Sequence, residues 1–470
     1  MADTADSTNT TDGPTPGATL GATPGATGAT TGTGPGGAVS RPRKSSWTYI
    51  GPGIVVAATG VGAGDLVATL IAGSKFGYTL MWAAVIGCVV KISLAEATGR
   101  WHLATGRTLF DGWRSLGRWT TVYFAVYVVV WGFVYGATAM SSSALPLAAL
   151  FPDGPGLKTW AVITGLIGLV FVWFNRYAVF EKVMTVLIGV MFVIVMYVAI
   201  RVTPDIGASF AGLLPVLPDG SLLYTLGLIG GVGGTITMAA YGYWVNAKGW
   251  TDTGWMKVMR LDNRVAYITT GLFVVAMLIV GAELLHASNI ALTQGDRGLI
   301  DLGKVLEDRF GATTAKLFLV GFFATSFSSL IGVWHGVSLM FADFVARMRR
   351  NETPDGADAS PAEAVASGAG ATTEVASGAR ERSLPFRAYL LWLTFPPITL
   401  LFLDEPFGLV VVYGVLGAFF MPFLALTLIW LLNSSRTPKE WRNGILSNVM
   451  LAAAGLLFVV LCVQQVRDLF

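Results

Sequence analysis

One carboxylate, Asp65, directly follows the glycine cluster Gly60-Val61-Gly62-Ala63-Gly64, inside an apolar run from about residue 50 to 72. A charge at bilayer depth costs about 2.5–3.5 kcal/mol on insertion scales, so it needs a partner or a ligand. Asp65 is expected to hold a cation together with backbone carbonyls near Gly62. The alternative is an ion pair with Lys91, or hydrogen bonds from freed backbone amides. A second cluster, Gly230-Gly231-Val232-Gly233-Gly234, interrupts the apolar run from about 222 to 245 and is followed by Thr235, Thr237 and Met238. Free carbonyls around Gly231, the Thr235 hydroxyl and the Met238 thioether make a second half-site. Oxygen groups suit hard ions, and a thioether tilts selection toward softer transition metals. The plain alternative for Met238 is helix packing.

Other ionisable groups in the apolar runs have competing readings. Glu96 and Arg100 are four residues apart, the spacing of a helical ion pair; Glu96 and His335 are also the two candidates for a proton relay. A lone histidine such as His335 is more often a hydrogen-bonded packing residue. Tyr241, Tyr243, Trp244 and Asn246 either line a path beyond the second cluster or pack and anchor. Glu181 suits the positive N-terminus of its helix.

Three or four glycines within five residues ask a helix to break, since each costs about 1 kcal/mol relative to alanine. Broken backbone survives in a bilayer only where protein or a polar cavity satisfies it. That the runs are membrane spans follows from composition: 470 residues, 54% hydrophobic and 13% charged, with mean hydropathy +0.64. The net charge of +3 gives no reason to expect a nucleic-acid partner. Two cysteines, Cys88 and Cys462, both in apolar runs, and three histidines, His102, His286 and His335, argue against a disulfide framework or a resident metal centre. No cofactor and no obligate protein partner are expected; the lipid bilayer is.

Eleven spans are read at residues 50–72, 79–99, 120–143, 158–175, 180–201, 222–246, 265–285, 313–343, 387–403, 407–432 and 444–464. Residues 1–46 form a Gly-, Ala-, Thr- and Pro-rich tail expected to be disordered, without the pattern of a secretory signal. Residues 47–470 form the transmembrane domain, with a disordered loop at about 351–381. Basic residues cluster before span 1 and after spans 2, 4, 6, 8 and 10. By the positive-inside rule the N-terminus is cytoplasmic and the C-terminus external, in the cell membrane. Span 1 then starts inside and span 6 outside. If spans 1–5 and 6–10 are repeats, they are inverted, and each opens with a broken helix. The expected fold is therefore all-α and polytopic: a LeuT-like five-plus-five inverted repeat with broken spans 1 and 6, plus an eleventh helix. The alternative for each cluster is close helix packing through small residues.

At Gly51-Pro52-Gly53, at Gly73-Ser74-Lys75-Phe76-Gly77-Tyr78-Thr79-Leu80-Met81-Trp82, at Thr105-Gly106-Arg107-Thr108-Leu109 and at Phe180-Glu181, the chain resembles the Nramp family of divalent metal transporters, as a divergent, Nramp-related branch. The resemblance covers about residues 48–465. The family's Asp-Pro-Gly-Asn signature in span 1 falls here on Gly62, Ala63, Gly64 and Asp65. One carboxylate is kept, moved by three residues. The family's span 6 alanine and methionine, followed by Pro-His, fall on Thr235, Met238, Ala239 and Ala240. The methionine is kept and the histidine lost. The acids of the family's proton route in span 3 are missing, for Thr121 to Ala144 holds no Asp or Glu.

The expected function is a secondary transporter moving divalent cations (manganese, iron or magnesium) by alternating access, weakly coupled or uncoupled to protons. The alternatives are an amino-acid or other organic-solute carrier on the same scaffold, or a transporter-derived membrane sensor. No nucleophile motif, nucleotide-binding loop or acid–base cluster suggests an enzyme.

Overall fold

The computed structural model describes residues 50–174, 176–231, 233–286, 304–349, 381–403 and 406–467, with backbone alone at some positions, among them 63–68. The tail expected over 1–46, and the loop expected at about 351–381 except for Glu381, lie outside them. The described residues are helical, without a strand.

Among them, nine helices are long and apolar enough to cross a membrane. The first and sixth spans are each two half-helices. Half-helix 1a is Pro52–Gly60 and 1b is Ala63–Phe76; 6a is Leu222–Gly231 and 6b is Thr237–Ala247. A helix of 9 residues, such as 1a, is about 13 Å long, less than half the hydrocarbon thickness, so both halves are needed to cross. The others are span 2 (Met81–Thr105), span 3 (Arg118–Leu150), span 4 (Leu157–Phe174), span 5 (Tyr177–Arg201), span 7 (Met256–Gly281), span 8 (Ala312–Arg349), span 9 (from Leu384–Thr394), span 10 (Pro406–Asn433) and span 11 (Ile445–Arg467).

Half-helix 1a is buried on nearly every side, as its apolar sequence demands. It packs on spans 5, 7 and 8 and on 6b, while 1b packs on span 7 and 6a. Span 2 lies against 6a, 6b and span 7, and span 11 against span 10. The periphery faces the other way. Span 5 buries Met184, Ile188, Met191, Val195 and Val198 and exposes Val186, Val193 and Ile200. Such an apolar outer stripe is stable against lipid chains, not water.

Three local features go beyond the apolar pattern. A short helix, Leu109–Leu116, joins spans 2 and 3; Thr108 and Asp111 close a reciprocal capping box at its start. Span 9 does not run to 403 as one α-helix. It passes into a 3-10 segment at Pro396–Leu403, because Pro396 and Pro397 lack the N–H that α-helical bonding needs. Span 7 ends in a π-helical turn at Ala282–His286. Span 10, by contrast, continues as one helix through Pro422.

Candidate functional site

The two breaks touch. A methyl placed on Gly60 would overlap the Gly233 backbone, and one on Gly234 would lie 2.9 Å from the Gly60 Cα. Gly233 and Gly234 adopt φ of +77° and +82°, the left-handed region that side chains resist. That reversal stops 6a and lets 6b start in a new direction. The glycine clusters therefore serve two needs at once: they break each helix and let the broken backbones meet.

Breaking a helix strands carbonyls. At the end of 1a, Ser328 Oγ donates to the Ala58 carbonyl at 3.1 Å and Ser329 Oγ to the Thr59 carbonyl at 2.8 Å, both from span 8. The Tyr135 hydroxyl of span 3 meets Ser329 Oγ at 3.0 Å. At the second break, the Gly234 carbonyl accepts from Lys91 Nζ of span 2. Lys91 is fully buried, and its ammonium lies 5.5 Å from the Phe458 ring centre. The sequence presents Lys91 as a partner for Asp65, whose side chain lies outside the described residues; in the fold Lys91 meets a carbonyl of the other broken span.

Around Gly233–Thr237 lie three buried hydroxyl oxygens without a hydrogen-bond partner among the described residues: Thr235 Oγ1, Thr237 Oγ1 and Tyr267 Oη. A methyl on Gly234 would lie 2.5 Å from Thr237 Oγ1, and one on Gly233 2.5 Å from the Tyr267 ring, so Thr237 and Tyr267 border the break directly. Thr235 turns its methyl toward Gly417 of span 10. Met238 is fully buried in the first turn of 6b. Asp65 is the third residue of 1b, in the turn where a carboxylate complements the helix dipole; only its backbone is described. Gly62 lies in the gap between 1a and 1b, against Ser329 Oγ, while Gly64 falls inside 1b. Gly230 and Gly231 close 6a.

Glu96 and His335 are held elsewhere. Glu96 accepts from Arg100 Nε at 3.1 Å and Arg260 Nε at 2.9 Å, and Arg100 extends the cluster to Asn443 and Ser447. This ties span 2 to spans 7 and 11. His335 Nδ1 accepts from Trp244 Nε1 at 3.1 Å, its Nε2 lies 3.3 Å from Glu381, and its ring stacks on Phe180 at 4.2 Å. Glu181 pairs with Lys248.

Three acids absent from the sequence reading organise the flanks. Asp262 of span 7 accepts from the Gly51 and Gly53 amides at 2.9 and 2.6 Å and from the Tyr241 hydroxyl at 2.9 Å. It caps 1a and grips 6b. Asp343 of span 8 accepts from Tyr243 Oη at 2.9 Å and Thr108 Oγ1 at 2.8 Å. With Trp244 on His335, three anchors, at Tyr241, Tyr243 and Trp244, fasten 6b to the surrounding spans. At the opposite end, Glu283 accepts from Tyr78 at 2.6 Å; burial, with Glu283 beside it, pushes the Tyr78 hydroxyl well above the ordinary phenol range. The one advance signal for Asp262 was the Gly-Pro-Gly start of 1a, whose free amides require an acceptor.

Two discontinuous helices crossing at their breaks inside a bundle define a LeuT-like secondary transporter with one additional helix. Solved structures share this fold: a manganese transporter from Eremococcus coleocola, at 17% identity, TM-score 0.70, covering 91% of this chain and 90% of that one. The nucleobase-cation-symport-1 transporter Mhp1 follows at 15% identity and TM-score 0.54, covering 89% and 93%. The family model for Nramp, natural resistance-associated macrophage protein-like, matches residues 53–467. The chain belongs to the Nramp family and is a multi-pass membrane transporter, not an enzyme. Among its relatives are the divalent metal cation transporters MntH of Mycobacterium tuberculosis (strain CDC 1551 / Oshkosh), 27% identical over 63% of this chain and 71% of that protein, and of Chromohalobacter salexigens, 29% identical over 53% and 60%.

Proposed function

We propose that this protein carries divalent metal cations across the cell membrane by alternating access, loading the ion where the two broken spans meet. The observation that carries the reading is the set of buried oxygens at that junction, of Thr235, Thr237 and Tyr267, that have no hydrogen-bond partner among the described residues. Each is a donor or acceptor removed from water without compensation, a cost of about 1–3 kcal/mol that a coordinated ion and its remaining water would relieve. Asp65 supplies the negative charge, Met238 a soft ligand, and the backbone near Gly62 and Gly231 further carbonyls. The cation is cargo; no resident cofactor is needed for its passage. A similar solved structure is of a manganese transporter, and the thioether points the same way over calcium. The N-terminus lies in the cytoplasm and the C-terminus outside in this reading, which the clustering of basic residues in alternate loops supports.

The test is uptake of manganese, iron and magnesium into proteoliposomes by wild type and Asp65→Ala. Asp65→Ala should abolish uptake while the protein still inserts and runs monodisperse. Undiminished flux in that variant removes Asp65 from the site. A wild type that moves amino acids and no metal replaces the reading with the organic-solute carrier.

A further inference from the structure

Lys91 of span 2 places its amino group on a carbonyl of the second break. Span 2 brings this side chain in at full burial, and Gly234, with φ +82°, turns its carbonyl out of the helix to meet it. The neighbouring Phe458 ring, 5.5 Å away, offers its face to the same group. We propose that Lys91 is a positioning residue that serves as a tethered counter-cation. It occupies the span 6 carbonyl while the carrier is empty and withdraws when a metal ion loads. The inference rests on the metal-transport reading above.

The physical argument is one of charge and occupancy. A buried carbonyl at a helix break needs a donor or a cation. In the loaded carrier a divalent ion at the junction repels an ammonium, so the two do not share one oxygen. In the empty carrier, a bare break would hold stranded acceptors through the return step. Lys91 fills it then, and no dissolved ion or proton has to enter for the protein to reset. Lys91 crosses with the carrier in both directions, so it adds nothing to the net charge moved. It competes with the cargo, which weakens binding, and it keeps the carbonyl satisfied through the return step itself, which speeds return.

The two roles separate in a split assay on the full-length protein in proteoliposomes. Manganese-for-manganese exchange needs only the loaded carrier, whereas net uptake needs the empty carrier to return. Lys91→Met removes the charge at similar length, and Lys91→Gln keeps a donor without charge. Both should bind manganese more tightly by calorimetry, about tenfold. Both should keep exchange and lose most net uptake, while Lys91→Arg, which keeps a charged donor, restores part of it. An unchanged ratio of net uptake to exchange, with unchanged affinity, overturns the proposal. So does equal loss of both modes in a variant that stays folded and binds no more tightly, since that is what a purely structural post would give. A wild type that neither binds nor exchanges manganese defeats the metal reading itself, and the Lys91 role with it.

Discussion

At the residue scale, the junction of the broken spans differs from the family's pattern in where its chemistry sits. In the proposed site the acid is Asp65 rather than a residue at position 62, and the thioether is Met238 on 6b. Met238 is fully buried, so its sulfur either faces the ion or fills space. Met238→Leu decides this with little change of volume, at a stability cost below about 1.5 kcal/mol. We expect competition assays to show a weaker preference for manganese over calcium in the variant. An unchanged ion profile assigns Met238 to packing. Thr237 and Tyr267 stand beside the break as firmly as Thr235 does. Tyr267 escaped the sequence reading because it comes from span 7, some thirty residues further along the chain.

At the scale of elements, the breaks were legible because glycine has a local meaning: it costs helix and permits positive φ. Their contact was not, because nothing in either cluster names the other. Gly233→Ala should therefore be costly twice over. The left-handed backbone costs about 1–2 kcal/mol for a residue with a Cβ, and overlap with the Tyr267 ring adds about 1–3 kcal/mol. The expected outcome is a lowered unfolding temperature in detergent and loss of uptake. Gly189→Ala in span 5, with open space around its Cα, is the control, and should be neutral or stabilising by about 1 kcal/mol. If Gly233→Ala behaves like Gly189→Ala, the break does not need its observed shape. The same scale explains span 9. A run of apolar residues predicts a helix of the right length, and only the paired prolines tell that its second half changes type.

For the whole molecule, two properties follow from the arrangement of charge. The first is orientation. In right-side-out cells, Asp219→Cys, in the loop before span 6, should react with an impermeant thiol reagent, while Lys439→Cys, between spans 10 and 11, should react only in inverted vesicles. The opposite pattern inverts the topology. The second is coupling. The ionisable candidates for a relay, Glu96 and His335, are engaged with Arg100 and Arg260 and with Trp244 and Glu381. Span 3 offers no acid. Metal entry should then run on the ion's gradient and the membrane potential, which supplies about 4.6 kcal/mol for two charges across 100 mV. A pH-sensitive dye trapped in proteoliposomes should report little acidification during manganese uptake. Stoichiometric acidification contradicts this, and its disappearance in His335→Ala would locate a relay through span 8.

The sequence by itself determined the helical membrane class, the two breaks and the family, because each rests on local composition, on spacing along the chain or on short motifs. Apolar length sets a span, and glycine density sets a break. The tertiary structure decided which groups answer the broken backbone. Ser328 and Ser329 cap 1a from some 270 residues away, Asp262 caps its start from about 210, and Lys91 meets Gly234 from 143. A stranded carbonyl or amide requires a partner but does not specify one. The choice among the many hydroxyls, acids and amines of the chain is made only when packing brings one of them within hydrogen-bond reach.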